Sequence, residues 1–310
     1  MSAHSPVTAD TLIWHPSSET ELMPDVRLPY VKNDLVSEDT PPEALLIAGF
    51  GESAASSVTA VSTLGEHGIP AAATWLTYSA LPPSHRNLDC IATEAPRELA
   101  LFLGGGKPMH MFTNSLGCLG IIAATEAPEV FNGVGTQAPY AFAHDAYGRL
   151  PLVGATDWTR VAALALRLGV KTPLQMRHHW RDRDVVDVGR NAIAELRTLG
   201  VVPGVALRYA LSPSVGRRVV NGFVDLSIAG HPTQVFVGQN DRLVPECEVR
   251  AGLKLAAIDH GIDPEKADQY IDEELQVIPG AHSPWCSPEG RTQLNTGADW
   301  LSTLQRSNAN

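Results

Sequence analysis

Three short segments each place a reactive side chain just past an apolar run of strand type. Thr113-Asn114-Ser115-Leu116-Gly117 sets a hydroxyl on a sharp turn between the run Met109–Thr113 and the small-residue segment Leu116–Ala127. Val235-Phe236-Val237-Gly238-Gln239-Asn240-Asp241 ends in a carboxylate, and Val277-Ile278-Pro279-Gly280-Ala281-His282 ends in an imidazole. Ligands of open α/β sheets bind outside the carboxyl ends of the strands, so these are the positions a site would use. A hydroxyl is a weak nucleophile near neutral pH and needs an adjacent base; an imidazole titrates in that range, and a carboxylate can orient it. A serine on so sharp a turn is expected in strained backbone geometry, with small neighbours so that the following helix can turn back close to the strand. Gly117 and Gly120 supply that room.

Each residue alone has a plainer reading. Ser115 could cap the helix after it. Asp241 could cap the next helix or pair with Arg242, and His282 could be a satisfied structural histidine. The three together, each at a strand end and in the order Ser, Asp, His, favour nucleophilic catalysis over coincidence.

The elements that must position them follow from hydrophobic pattern and punctuation. Short strand-like runs at Thr11–Trp14 and Arg27–Val31 precede a loop at Glu38–Pro42. Strands are expected at Ala44–Ala48, Pro70–Tyr78, Met109–Thr113 and Phe131–Gln137, with helices at Ala54–His67, Ile91–Leu103 and Leu116–Ala127 between them. Such alternation is the mark of a parallel sheet covered on both faces. From about residue 140 to 225 the pattern turns helical (Asp157–Leu168, Asp184–Leu199, Val205–Leu211). The strand–helix pattern then resumes with Gln234–Gly238, Glu246–His260, Pro264–Leu275 and Gln276–Pro279.

On these residues the chain resembles the α/β-hydrolases. Nucleophile turn, acid turn and histidine loop all have counterparts, in that superfamily's chain order. The resemblance covers roughly residues 40–140 and 226–300. It implies a mostly parallel central sheet flanked by helices, with a core of residues 1–140 and 226–310 and an inserted helical cap at 141–225. It implies Ser115 as nucleophile, His282 as general base and Asp241 as the group that orients the imidazole and stabilises its charged form. The oxyanion would be held by the backbone N–H groups of Leu116 and of Phe50, the latter in the loop Gly49-Phe50-Gly51. A serine nucleophile argues against the dehalogenase and epoxide-hydrolase branches. The activity implied is hydrolysis of an ester or thioester of a small, largely apolar metabolite; a lyase, lactonase or acyltransferase of the same fold is the alternative. Three features depart from the superfamily's pattern: Thr113 stands where glycine is preferred, Ala48 where many members have histidine, and 41 residues separate Asp241 from His282. The helical segment Pro264–Leu275 accounts for that length.

Composition narrows the partners. The 310 residues are 44% hydrophobic and 18% charged, with a formal net charge of -11. So acidic a chain is a poor match for nucleic acid or an anionic membrane, which need clustered Lys and Arg. A small-molecule acyl substrate fits better; neither cofactor nor metal is implied, and the oligomeric state is left open. No secretory leader and no run of ~18–20 apolar residues is evident, so a cytoplasmic location is expected. Arg far outnumbers Lys, which with abundant Ala suits a GC-rich bacterial genome. Cys90, Cys118, Cys247 and Cys286 lack zinc spacing and are expected as isolated, mostly buried thiols. Gly49-x-Gly51-x-x-Ala54 matches a dinucleotide fingerprint, but the next strand ends in Ser79-Ala80-Leu81 without the acid that would hold a ribose, which weakens an NAD(P) oxidoreductase. A non-catalytic ligand-binding module is the third class. Arg177-His178-His179-Trp180-Arg181-Asp182-Arg183-Asp184 reads as a charged surface cluster, since adjacent histidines point to different faces of a helix.

Overall fold

Successive residues of a strand face opposite sides of its sheet, and the central strands of this chain are apolar on both. In the computed structural model, which describes residues 7–14, 26–49, 52, 54–75, 85–142, 213–241 and 244–308, eight strands form one sheet. They are β1 (Val7–Trp14), β2 (Val26–Asn33), β3 (Ala44–Ile47), β4 (Ala71–Thr74), β5 (Met109–Asn114), β6 (Phe131–Gln137), β7 (Thr233–Gly238) and β8 (Leu275–Ile278). Their spatial order is β1-β2-β4-β3-β5-β6-β7-β8. The pairs from β4 through β8 are parallel, and β1 and β2 add an antiparallel edge.

The described helices are α1 (Ala54–Glu66), α2 (His85–Gly104), α3 (Ile121–Glu126), α4 (Pro213–Ile228), α5 (Glu246–Asp259), α6 (Pro264–Glu274) and α7 (Pro288–Asn308). They cover both faces of the sheet. Leu45, Ile47, Met111, Val235 and Val237 point into a core shared with α2 to α5. Leu46, Phe112 and Phe236 point the other way, against Ala60 and Leu64 of α1 and Leu294, Ala298 and Leu301 of α7. This period-2 division of buried side chains is why β3, β5 and β7 read as unbroken apolar runs.

Several expectations change in detail. The strand expected at Pro70–Tyr78 is Ala71–Thr74, and residues 76–80 lie outside the described residues. The single helix expected over Leu116–Ala127 is a 3-10 segment, Ser115–Gly120, followed by α3. At three residues per turn Gly117 and Gly120 eclipse, and both face Ile47. A Cβ on Gly117 would sit 2.5 Å from the Ile47 carbonyl oxygen, and one on Gly120 2.6 Å from Ile47 Cδ1. The tighter winding lets that strand and the turn touch.

Helix α7 falls where the pattern reading has no element; its signal is the spacing of Leu294, Ala298 and Leu301, interrupted by Gly290 and Gly297. Gly297 has a packing role, because a Cβ there would lie 2.4 Å from the Phe112 ring. Residues 143–212, most of the segment expected as a cap, lie outside the described residues. At either end of that segment the core already extends inward: Phe142 meets Phe223 of α4 edge-on with ring centroids 5.3 Å apart, and both are fully buried.

Candidate active site

The carboxyl ends of β3, β5, β7 and β8 converge, and each contributes one piece of the site. Past β5 the chain turns through Ser115 at φ 50°, in the left-handed region that a non-glycine residue rarely enters. The strain is held by close packing around the turn. Gly117 leaves no space between the turn and Ile47, and a Cβ on Gly49 would lie 3.0 Å from Ser115 Cβ and 3.1 Å from the Asn114 carbonyl oxygen. Gly49 thus serves close approach to the serine turn, which accounts for the first glycine of the dinucleotide-like pattern. Thr113 is accommodated although it is β-branched: it is fully buried, and its hydroxyl donates to Thr136 Oγ1 on β6 at 2.7 Å.

Two glycines bring the acid and imidazole loops together. A Cβ on Gly238, at the end of β7, would lie 2.8 Å from the Gly280 carbonyl oxygen. Gly280 itself turns at φ 110°, a value only glycine adopts freely. Across this contact the Gln239 N–H donates to the Ile278 carbonyl and the Asn240 N–H to the Gly280 carbonyl, each at 2.8 Å. Asp241 is buried. Its Oδ1 accepts from the Val244 N–H at 2.8 Å, and its Oδ2 lies 2.9 Å from His282 Nδ1. Asp241 does not cap α5, whose N-cap is Pro245 with no side-chain cap; one carboxylate oxygen closes the turn at Val244 and the other meets the imidazole. Arg242 lies outside the described residues.

His282 Nε2 stands 3.1 Å from Ser115 Oγ. A carboxylate only accepts hydrogen bonds, so the Nδ1 atom of His282 carries the proton toward Asp241 and Nε2 is left to accept from the serine. The structure thus brings Ser115, Asp241 and His282 into one hydrogen-bonded chain. Burial alone pushes the His282 pKa down; the charge and hydrogen bond of Asp241, with the charge of Glu52, outweigh it, and the net direction is up.

Glu52 belongs to none of the motifs. It is buried at the end of the loop after β3, and its Oε1 accepts from Asn114 Nδ2 at 2.6 Å. Its Oε2 has no hydrogen-bond partner. Burial pushes the Glu52 carboxyl up to about 7, against the lowering influence of the Asn114 amide, the nearby backbone of Trp285 and Gly49, and the charge of His282. A lone glutamate beside a glycine pair carries no sequence signal, so only its placement exposes it.

A second group invisible to motif reading is a buried amide relay. Trp285 Nε1 donates to Gln137 Oε1 at 3.1 Å, and Gln137 Nε2 donates to Gln293 Oε1 at 2.7 Å. Gln293 Nε2 in turn donates to the Ala281 carbonyl at 3.0 Å and the Pro279 carbonyl at 3.3 Å. The loop carrying His282 is thereby pinned to β6 and α7.

Of the two expected oxyanion donors, Leu116 is the first residue past the serine, in the 3-10 segment. Phe50 lies outside the described residues, as do the Arg177–Asp184 cluster and the expected helix Asp157–Leu168. Cys118 is fully buried and its thiol is pushed up to about 12 by burial, so it packs and does not react. Cys90 and Cys286 are also buried, and Cys247 is exposed. Among the described residues no helix is long and apolar enough to cross a membrane.

The geometry and topology define a fold class, and comparison with solved structures agrees: the chain has the α/β-hydrolase fold. It is similar to 2-hydroxy-6-oxo-6-phenylhexa-2,4-dienoate hydrolase from Rhodococcus sp. strain RHA1, at 15% identity and a TM-score of 0.55 over 96% of this chain and 99% of that one. It is similar to a hydrolase from Pseudomonas aeruginosa PA01 at 18% identity and a TM-score of 0.54, over 95% and 98% of the two chains. The thioesterase domain from the curacin biosynthetic pathway shares 11% identity and a TM-score of 0.53, over 96% and 99%. No protein-family profile and no curated protein sequence matches the chain. At these identities the likeness is one of fold.

Proposed function

We propose that the protein is a serine hydrolase that cleaves an ester or thioester of a small, largely apolar metabolite through an acyl-enzyme on Ser115. The observation that carries this reading is the hydrogen-bonded chain from Asp241 through His282 to Ser115, held on a strained turn. Ser115 Oγ attacks the carbonyl carbon while its proton passes to His282 Nε2. The tetrahedral oxyanion is held by the N–H groups of Leu116 and Phe50; losing one such donor costs about 10²–10³ in turnover. Collapse expels the alcohol or thiol, which takes the proton from His282. Water, activated by the same imidazole, then attacks the acyl carbon, releasing the acid and returning the proton to Ser115. In this reading the cap over the acyl group lies between Phe142 and α4, both of which pack into the core, and the enzyme works in the cytoplasm.

The test is Ser115→Ala. Turnover of a p-nitrophenyl acyl ester and labelling by a fluorophosphonate probe should both vanish; undiminished labelling in the variant overturns the assignment. Mass spectrometry after incubation with candidate substrates would show the acyl adduct on the peptide that holds Ser115. Tight binding of a ligand without turnover would instead favour a non-catalytic module.

A further inference from the structure

Two carboxylates, not one, act on His282. Asp241 accounts for the hydrogen bond at Nδ1. Glu52 reaches the site from the loop after β3, and nothing in acyl transfer through Ser115 uses it. Its position is specific. Through Oε1 it holds the side-chain amide of Asn114, the residue directly before Ser115, at 2.6 Å. Its own N–H donates to the Gly49 carbonyl at 3.2 Å, which closes the Gly49–Glu52 loop on itself. The same Gly49 lies against Ser115 and Asn114 with no room for a Cβ. The loop expected to supply one oxyanion donor, Phe50, is thus tied to the turn that supplies the nucleophile and the other donor. A buried carboxyl with one orphaned oxygen is costly.

We propose that Glu52 is a positioning residue: it clamps the loop after β3 to the Ser115 turn through Asn114, and its negative charge supports the protonated form of His282. The proposal deepens the Ser115 reading and rests on it. The clamp needs only an acceptor at Oε1, which glutamine also offers. The electrostatic role needs the charge, which glutamine lacks. Among the described residues, the charged group acting on Glu52 is His282, which Asp241 faces on its other side; Asn114, Gly49 and Trp285 are neutral. With its carboxyl raised to about 7, Glu52 gains its charge in the range where the enzyme would need His282.

The experiment pairs two variants, Glu52→Gln and Glu52→Leu, with two readouts. The first is the rate of fluorophosphonate labelling against pH; the second is the titration of the His282 imidazole by NMR, which requires no turnover. Glu52→Gln should retain most of the plateau labelling rate, and Glu52→Leu should lose about tenfold, the worth of one buried hydrogen bond. Both variants should shift the His282 midpoint to lower pH. Asn114→Leu breaks the clamp from its other end and should lower the plateau as Glu52→Leu does, so the clamp stays testable if a Glu52 variant fails to fold. In that case the wild-type His282 signal serves for the charge, and it should titrate in two steps. Equal plateau rates in all variants, or an unmoved His282 midpoint, overturn the role of Glu52 alone. Absence of labelling in the wild-type protein overturns the Ser115 reading and the catalytic role of Glu52 with it.

Discussion

Asp241 Oδ2 and His282 Nδ1 meet at 2.9 Å although 41 residues separate them in the chain. The intervening segment folds as α5, α6 and β8, and β8 pairs in parallel with β7, so both loops leave the sheet at the same end. The contact fixes the imidazole tautomer, because a carboxylate can only accept. In Asp241→Asn the new side-chain amide can offer its N–H to Nδ1, which turns the imidazole proton to Nε2 and blocks acceptance from Ser115. The substitution should therefore lower kcat by about 10⁴, the size of the tautomer effect in a serine triad. The pre-steady-state burst of a p-nitrophenyl ester measures it, and a change confined to KM would contradict it.

Glu52 makes stability depend on pH. Its carboxyl rises from 4.5 to about 7, so folding favours the protonated form. That contribution, about 3 kcal/mol, is fully present below pH 4.5 and lost as pH rises through 7. His282, also raised, acts in the same direction: its contribution is complete below the ordinary histidine range and lost as pH rises through its folded value. Thermal unfolding followed from mildly acid to mildly alkaline pH should show Tm falling on the alkaline side for the wild type. Glu52→Gln should flatten that fall and exceed the wild type in Tm above the Glu52 midpoint. A wild-type Tm independent of pH across that range would refute the linkage.

Gly117→Ala should injure structure and activity together. The new Cβ falls 2.5 Å from the Ile47 oxygen and 2.8 Å from that of Ala48, both backbone atoms that cannot swing aside. The serine turn must lift from β3, at a cost of about 1–3 kcal/mol in unfolding free energy and most of the turnover. Gly68→Ala is the control. It meets open space but sits at φ 75°, so it should cost about 1 kcal/mol through backbone strain and leave kcat unaltered. Denaturant unfolding with parallel rate measurements separates the two.

Gln293→Leu tests the amide relay. It removes the donor to the carbonyls of Pro279 and Ala281 and the acceptor of Gln137 Nε2. Buried groups left unpaired cost about 1–3 kcal/mol each, and the loop holding His282 loosens. The expected result is a lower Tm with a fall in kcat of about tenfold and little change in KM, because the relay touches the base and not the substrate. A lower Tm with unaltered kcat would confine the relay to stability.

The frame of the molecule is written in local pattern. Apolar runs at Ala44–Ala48, Met109–Thr113 and Gln234–Gly238, punctuated by glycine, mark buried strands of a parallel sheet. The side chains at their ends are then committed to one edge of the sheet. Ser115, Asp241 and His282 are legible for that reason, as are Gly117 and Gly120 as the room behind the serine. What depends on distances between strands far apart in the chain emerges only on folding. Glu52 and Asn114 are 62 residues apart, and Gln137 and Gln293 are 156 apart. No local period or spacing encodes such a meeting, because it exists only once the sheet order β4-β3-β5-β6-β7-β8 has brought the strand ends together. The same holds for the Glu52 ionisation: a carboxyl titrates by its surroundings, and burial beside His282 is a property of the fold.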